Sequence, residues 1–197
     1  KKNKVNNVII EASSHGLSQN RIDHLNFKAA IFTNFSQDHL DYHKSMSSYL
    51  KAKLHLFENI LSKKRTIISD KSLKQFKLLK NIAKKKNIRL IDISDIKRKL
   101  ENNKNLELND FQLKNLSMAI IAANLCNISY KKIFKTIHKI KCVNGRLELV
   151  KTYPNNIKIF IDFAHTPDAL LKVIDALKKS YNTNISLVFG CGGERDI

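Results

Sequence analysis

Short apolar runs that alternate with stretches of helical spacing constrain this chain's fold more than any other feature. Val8 to Glu11, Ala29 to Asn34, Thr66 to Ser69 and Ile88 to Ile93 read as strands, the first two ending in polar turns. Between them, Tyr49, Ala52, Leu56 and Ile60 recur every three or four residues on a predicted helix that Ser47 or Ser48 caps and that ends near Leu61. Leu73, Phe76, Leu79 and Ala83 form the apolar face of a second helix, with Asp70 or Ser72 as its cap. Strands joined by helical crossovers of this length pair in parallel. The fold class is therefore α/β, with a parallel sheet covered by helices in three layers.

Residues 96–110 are polar and rich in Asn, and read as a loop with an edge strand near Leu106 to Leu108. Helices are predicted at about 113–124 and 130–140. Strands at 147–152 and 157–162 flank Pro154-Asn155-Asn156, and Pro167 opens a helix to about Tyr181. Ile185 to Phe189 is expected to be a strand entering Gly190-Cys191-Gly192-Gly193. A second strand-helix-strand unit thus begins near residue 150, which divides the chain into 1–149 and a Rossmann-like beginning at 150–197. The glycine loop should feed a helix that the chain does not contain, and there is no initiator Met, so a piece of a longer protein is expected.

Charge narrows the function classes. Thirty-six Lys and Arg against 17 Asp and Glu give a formal charge of +19. Such a balance suits a phosphate backbone, but only six of the cations are arginines, and the lysines spread along the whole chain. They read as solvated faces, with no nucleic-acid partner. An RNA-binding domain is the alternative that this charge leaves open. No run is long and apolar enough to span a bilayer, and the three cysteines have neither metal-ligating nor disulfide spacing. A cytoplasmic, reducing location is expected.

Polar residues collect at the expected carboxyl ends of the strands, where parallel sheets bind ligands. Glu11 is either a hard-cation ligand, as Mg²⁺ prefers, or a capping carboxylate. Asp38-His39-Leu40-Asp41-Tyr42-His43 has two carboxylates and two imidazoles in six residues. It is either part of a metal site or an exposed polar loop with His43 on the surface. A metallohydrolase using His39, Asp41 and His43 is one function compatible with it.

Taken together, Glu11 through Leu17 with Gln19 and Arg21, Phe32-Thr33-Asn34 leading to Asp38 through His43, Tyr49 through Lys53, Gly145 through Glu148, Asp162 through Asp168 and Gly190 through Asp196 resemble the Mur ligases. Within that family the Ser-Ser-His-Gly-Leu-x-Gln-x-Arg segment resembles the branch that adds a diamino acid. The resemblance implies a bacterial, cytoplasmic, monomeric enzyme. It would use ATP and Mg²⁺ to join a diamino acid, favoured as meso-diaminopimelate over L-lysine, to UDP-MurNAc-L-Ala-D-Glu through an acyl phosphate. A folylpolyglutamate synthase type of ligase is the neighbouring alternative.

The resemblance also implies roles. Glu11 and His39 would each hold a Mg²⁺, and Lys53 would serve as a carbamate. Ser13, Gln19 and Arg21 would bind the dipeptide substrate, and Arg195 the diamino acid. Asn115, Arg146, Asp162 and His165 would lie on the nucleotide side, although Gln112 stands where the family motif has Asn. The family's Gly-Lys-Thr phosphate loop and its Asp-Asn-Pro motif do not occur in this sequence. The resemblance puts them upstream of residue 1 and downstream of Ile197.

Overall fold

Ile67 and Ile68 are completely shielded from solvent, because their strand lies between two parallel neighbours and is covered on both faces. The computed structural model of the chain describes residues 5–103, 106, 108–141 and 143–190. Strand β1 (Ala29–Phe32) pairs with β2 (Thr66–Ser69), and β2 with β3 (Arg89–Asp92), in sheet order β1-β2-β3. Successive side chains of β2 face opposite ways. Ile67 joins a core with Leu17, Phe32, Phe57, Leu61 and Leu79, whereas Ile68 joins one with Ile93, Leu100, Met118, Ile120 and Ile121. Each fully buried side chain of this size is worth about 1.5–3 kcal/mol, so the central strand anchors both helical layers.

On the first face, α1 (Ser14–Ser18) and α2 (Leu40–His43) lie beside α3 (Met46–His55) and α4 (Phe76–Lys86). The cap of α3 is Ser45, two residues before the nearer predicted serine, and its hydroxyl accepts from the Ser48 N–H at 3.1 Å. The helix then widens into a π-helical segment, Leu56–Ile60, whose late carbonyls would be left unpaired. The Lys86 ammonium satisfies them, donating to the carbonyls of Phe57, Glu58 and Leu61 at 3.3, 2.6 and 2.8 Å. Burial there pushes the Lys86 pKa down, against the pull of Glu58.

Neither Asp70 nor Ser72 caps α4. The Asp70 carboxylate accepts from the Ser72 N–H at 2.8 Å, and that local turn competes with helix, so α4 starts only at Phe76. Its C-cap is Asn87, which is left-handed at φ 52.

On the second face, the region read as a loop contains helix α5 (Ser94–Glu101). Its polar composition concealed two well-spaced anchors, Ile96 and Leu100, both buried in the second core. Leu106 and Leu108 pack against the same core without forming a strand among the described residues. Helix α6 (Asp110–Leu125) begins three residues before its expected start, because Asn109 and Gln112 form a reciprocal capping box. Helix α7 (Tyr130–Thr136) ends in a 3₁₀ turn at Ile137–Lys139.

Beyond Gly145, β4 (Glu148–Thr152) and β5 (Lys158–Ile161) form an antiparallel hairpin with an irregularity between Leu149 and Lys151. Helix α8 (Pro167–Tyr181) follows, capped by Thr166 with Pro167 in its first turn.

Two predicted strands are absent among the described residues. Val8 to Glu11 and Ile185 to Phe189 pair with no neighbour, and Val8, Ile9 and Val188 are 75%, 93% and 98% exposed. An apolar run becomes a strand only where another strand completes its hydrogen-bond ladder. No helix among the described residues is long and apolar enough to cross a membrane.

Candidate active site

The site is built where α1, the turn after β1 and α3 meet. Ser13 caps α1, its hydroxyl accepting from the Gly16 N–H at 3.1 Å. A side chain at Gly16 would place Cβ only 3.2 Å from that hydroxyl, so glycine permits the tight entry. Leu17 anchors the short helix in the core.

The turn at Asp38-His39 is held by the Asp38 carboxylate, which accepts from the His39 N–H at 2.8 Å. His39 is left-handed at φ 56, an uncommon conformation for a non-glycine residue. The second Asp38 oxygen lies 3.5 Å from His39 Nε2.

Around this turn His15, His39, Tyr42, His43 and Tyr49 form a cluster of rings, with His39 edge-on to Tyr49 at 6.0 Å between centroids. Lys53 rises from α3 with its ammonium 5.0 Å from the Tyr49 ring centroid. Burial pushes the Lys53 pKa down, and the Asp38 and Glu11 carboxylates oppose it. Tyr49 is pushed up to about 12 by burial and by Asp38. Glu11 and Lys53, far apart in sequence, thus act on one another, and His39 and Lys53 both lie against Tyr49.

The expectation that His43 lies on the surface is overturned. It is 8% exposed and its Nε2 is 2.9 Å from the Ser14 hydroxyl, so it ties α2 to α1. Desolvation pushes its pKa down, helped by the positive charges of His15, His39 and Lys53 and opposed by Asp41. A histidine with a lowered folded-state pKa binds fewer protons than the unfolded chain does, so stability rises with pH until the ordinary histidine value is passed. Acidification from pH 7 through about 6.5 is expected to lower the unfolding midpoint, and His43→Asn to flatten that slope. Thermal melts at several pH values check this, and an unchanged slope would refute it.

The residues expected to bind the dipeptide sit together. Ser13 precedes α1, Gln19 follows it, and Arg21 closes the turn through its N–H to the Gly16 carbonyl at 2.9 Å. The Gln19 amide reaches the Tyr42 hydroxyl at 3.3 Å, and Ser18 lies 3.2 Å from the same oxygen. The side-chain hydrogen bonds it shares with Ser18 and Gln19, and more weakly the Arg21 charge, lower the Tyr42 pKa against desolvation.

In the later segment, Arg146 stacks on Phe163 at 4.9 Å from the ring centroid. The Asp162 carboxylate accepts from the N–H groups of Leu147 and Ala164 at 2.6 and 2.7 Å, which shapes the turn before α8. His165 Nδ1 lies 2.9 Å from the Phe163 carbonyl. A narrow cleft of about 30 Å³ brings His165, Thr166 and Pro167 against Asp38, His39 and Asp41, so His39 and His165 face one space. Asn115 lies exposed on α6, beside Lys114, which is ion-paired to Asp70 at 3.0 Å. Arg195 and Gly192-Gly193 lie outside the described residues.

Among the described residues no three His, Cys, Asp or Glu side chains converge as a metal cage. Mg²⁺ does not need one, because it keeps water and phosphate oxygens and takes one or two protein ligands. Glu11 and His39 are donors that fit that demand, whereas a Lys53 ammonium has no lone pair to offer. A hydrolase centre on His39, Asp41 and His43 fits poorly, since His43 is committed to Ser14. Motif reading gave Asp38 no part in acting on Lys53, because its field there depends on the fold.

Residues 1–137 match the family model of the Mur ligase middle domain, and residues 145–197 that of the Mur ligase glutamate ligase domain. The UDP-N-acetylmuramoyl-L-alanyl-D-glutamate--2,6-diaminopimelate ligase of Rickettsia bellii (strain RML369-C) is 37% identical, over 99% of this chain and 45% of that protein. The protein of the same name from Wigglesworthia glossinidia brevipalpis is 35% identical, over 99% of this chain and 44% of its own length. A solved structure of a ligase of that name superposes with a TM-score of 0.62 at 26% identity, over 94% of this chain and 42% of that one. MurF from Acinetobacter baumannii shares the fold, with a TM-score of 0.57 at 14% identity, over 74% of this chain and 36% of its own. The chain spans less than half the length of these curated relatives.

Proposed function

Because this chain belongs to the Mur ligase family, we propose that it forms part of an ATP-dependent ligase that adds a diamino acid, meso-diaminopimelate, to UDP-MurNAc-L-Ala-D-Glu. In this reading residues 1–149 contribute to the central nucleotide-binding domain and 150–197 begin the C-terminal domain. The observation that carries the proposal is the partly buried Lys53 over Tyr49, whose pKa burial lowers while the Asp38 and Glu11 carboxylates act on it, with His39 against the same Tyr49 ring. The names borne by the relatives supply the substrates.

The residues divide the work by their chemistry. Burial favours neutral Lys53, whose amine lone pair attacks CO₂; a carbamate N–C bond forms and a proton leaves to solvent. That converts a cation into an oxygen donor beside Glu11 and His39. Bound Mg²⁺ would supply charge neutralisation for phosphoryl transfer from ATP. Ser13, Gln19 and Arg21 hold the dipeptide end, Arg21 being suited to its carboxylates. Asn115, Arg146, Asp162 and His165 serve the nucleotide side, His165 lining the cleft opposite His39, and Arg195 meets the incoming diamino acid. The carboxylate of the dipeptide's D-Glu is phosphorylated, and the diamino acid's amine displaces phosphate to form the amide. The reading places the enzyme in the cytoplasm as a monomer with no nucleic-acid partner.

The test is phosphate release by the intact ligase. It is expected only when UDP-MurNAc-L-Ala-D-Glu and the diamino acid are both supplied with ATP and Mg²⁺. Release at the same rate without the dipeptide substrate would overturn the proposal.

A further inference from the structure

The Ser18 hydroxyl lies 3.0 Å from the His15 carbonyl oxygen and 3.2 Å from the Tyr42 hydroxyl, and Gln19 Nε2 lies 3.3 Å from that same hydroxyl. A carbonyl oxygen only accepts, and each hydroxyl has one proton to give. All three bonds are satisfied together in one polarity. Ser18 donates to His15, Tyr42 donates to Ser18, and Tyr42 must then accept from Gln19. Of the two ends of the Gln19 amide only the NH₂ donates, so it is the NH₂ that turns to Tyr42 and the carbonyl oxygen, Oε1, that turns away. Gln19 is exposed, and without this anchor its amide could take either orientation.

Tyr42 is itself held in place. Its ring lies 4.1 Å from that of His15 and 4.8 Å from that of His43, which is tied in turn to Ser14. Arg21 adds a cation close enough to act on the Tyr42 hydroxyl. One fixed acceptor near one guanidinium matches an N-acyl amino acid, whose amide N–H and carboxylate are carried on the same carbon.

We propose that Tyr42 is a positioning residue: through the chain Gln19–Tyr42–Ser18–His15 it fixes the Gln19 carbonyl to accept from the peptide N–H of the dipeptide substrate, while Arg21 takes the adjoining carboxylate. This rests on the ligase reading above.

Tyr42→Phe keeps the ring contacts and removes the hydroxyl. In the intact ligase it is expected to raise KM for UDP-MurNAc-L-Ala-D-Glu about three- to tenfold, the loss of one hydrogen bond, with kcat and KM for ATP within about twofold. Combined with Gln19→Ala it should bind the dipeptide substrate no worse than Gln19→Ala alone, because the tyrosine acts only through that amide. An unchanged KM in Tyr42→Phe, or losses that add in the double variant, would overturn the role.

Ser18→Ala breaks the chain one link further along and should move KM in the same direction, which keeps the test decisive if Tyr42→Phe unfolds. Side-chain amide NMR of the wild-type ligase gives a reading independent of turnover. One Gln19 NH₂ proton should exchange slowly, and equal fast exchange of both would refute the polarity. A wild-type ligase that ignores the dipeptide would defeat the functional reading, whereas a dipeptide-dependent enzyme with an additive cycle would defeat only the role of Tyr42.

Discussion

Lys53→Ala is expected to cut turnover of the intact ligase by about a thousandfold or more, since on the proposed carbamate reading it removes an oxygen donor for the metal that would screen transferring phosphate. The structure supplies the reason for singling out this lysine among so many. Its ammonium is partly buried on α3 over Tyr49, and desolvation lowers its pKa despite Glu11 and Asp38. A solvated lysine stays protonated and unreactive towards CO₂ at neutral pH. Added formate or acetate should restore part of the activity in Lys53→Ala by occupying the vacated space with a carboxylate. Lys53→Arg should stay inactive, because a guanidinium remains charged and forms no carbamate. Steady-state phosphate release measures all three, and full activity of Lys53→Ala would sink the carbamate.

Phe57→Ala is expected to lower unfolding stability by about 3–5 kcal/mol, read from urea unfolding followed by circular dichroism. Phe57 is 2% exposed, and its ring lies 5.8 Å from that of Phe32 on β1. It sits in the π-helical segment after α3, so its loss opens a cavity between sheet and helix beneath the lysine-bearing helix. A loss under about 1 kcal/mol would mean that the site collapses around the gap. Catalysis should fall with it near the melting temperature, because α3 carries Lys53.

Much of the site was legible as chemistry and little of it as geometry. Glu11 and His39 stood out as metal-ligand candidates by residue type, whereas Lys53 was singled out only by the family resemblance, and the fold brings Glu11 within range of Lys53. His43 was misplaced because a histidine in a polar loop looks the same in sequence whether it meets solvent or a buried serine. Ser14 lies 29 residues away, and nothing local announces the bond. The caps of α3 and α4 were misplaced for a related reason. Several serines and aspartates compete for one helix start, and the winner is set by backbone angles that propensity does not rank. Helix α5 was hidden by its charged surface, though Ile96 and Leu100 kept the spacing of a buried face.

The sequence alone determined the α/β class and the order of β1 to β3 with their intervening helices. These rest on periodicity and residue type, which are local. It also suggested strands at Val8 to Glu11 and Ile185 to Phe189, where hydrophobicity marks a candidate but only a pairing neighbour makes the ladder. Tertiary structure alone decided which lysine is desolvated, which histidine is buried, and which hydroxyl the Gln19 amide meets. Each of those depends on groups distant in sequence coming within hydrogen-bonding or desolvating range, as Gln19 and Tyr42, 23 residues apart, and His43 and Ser14, 29 apart, do. Desolvation and bond polarity belong to the packed surroundings of a side chain, so no reading of its neighbours along the chain contains them.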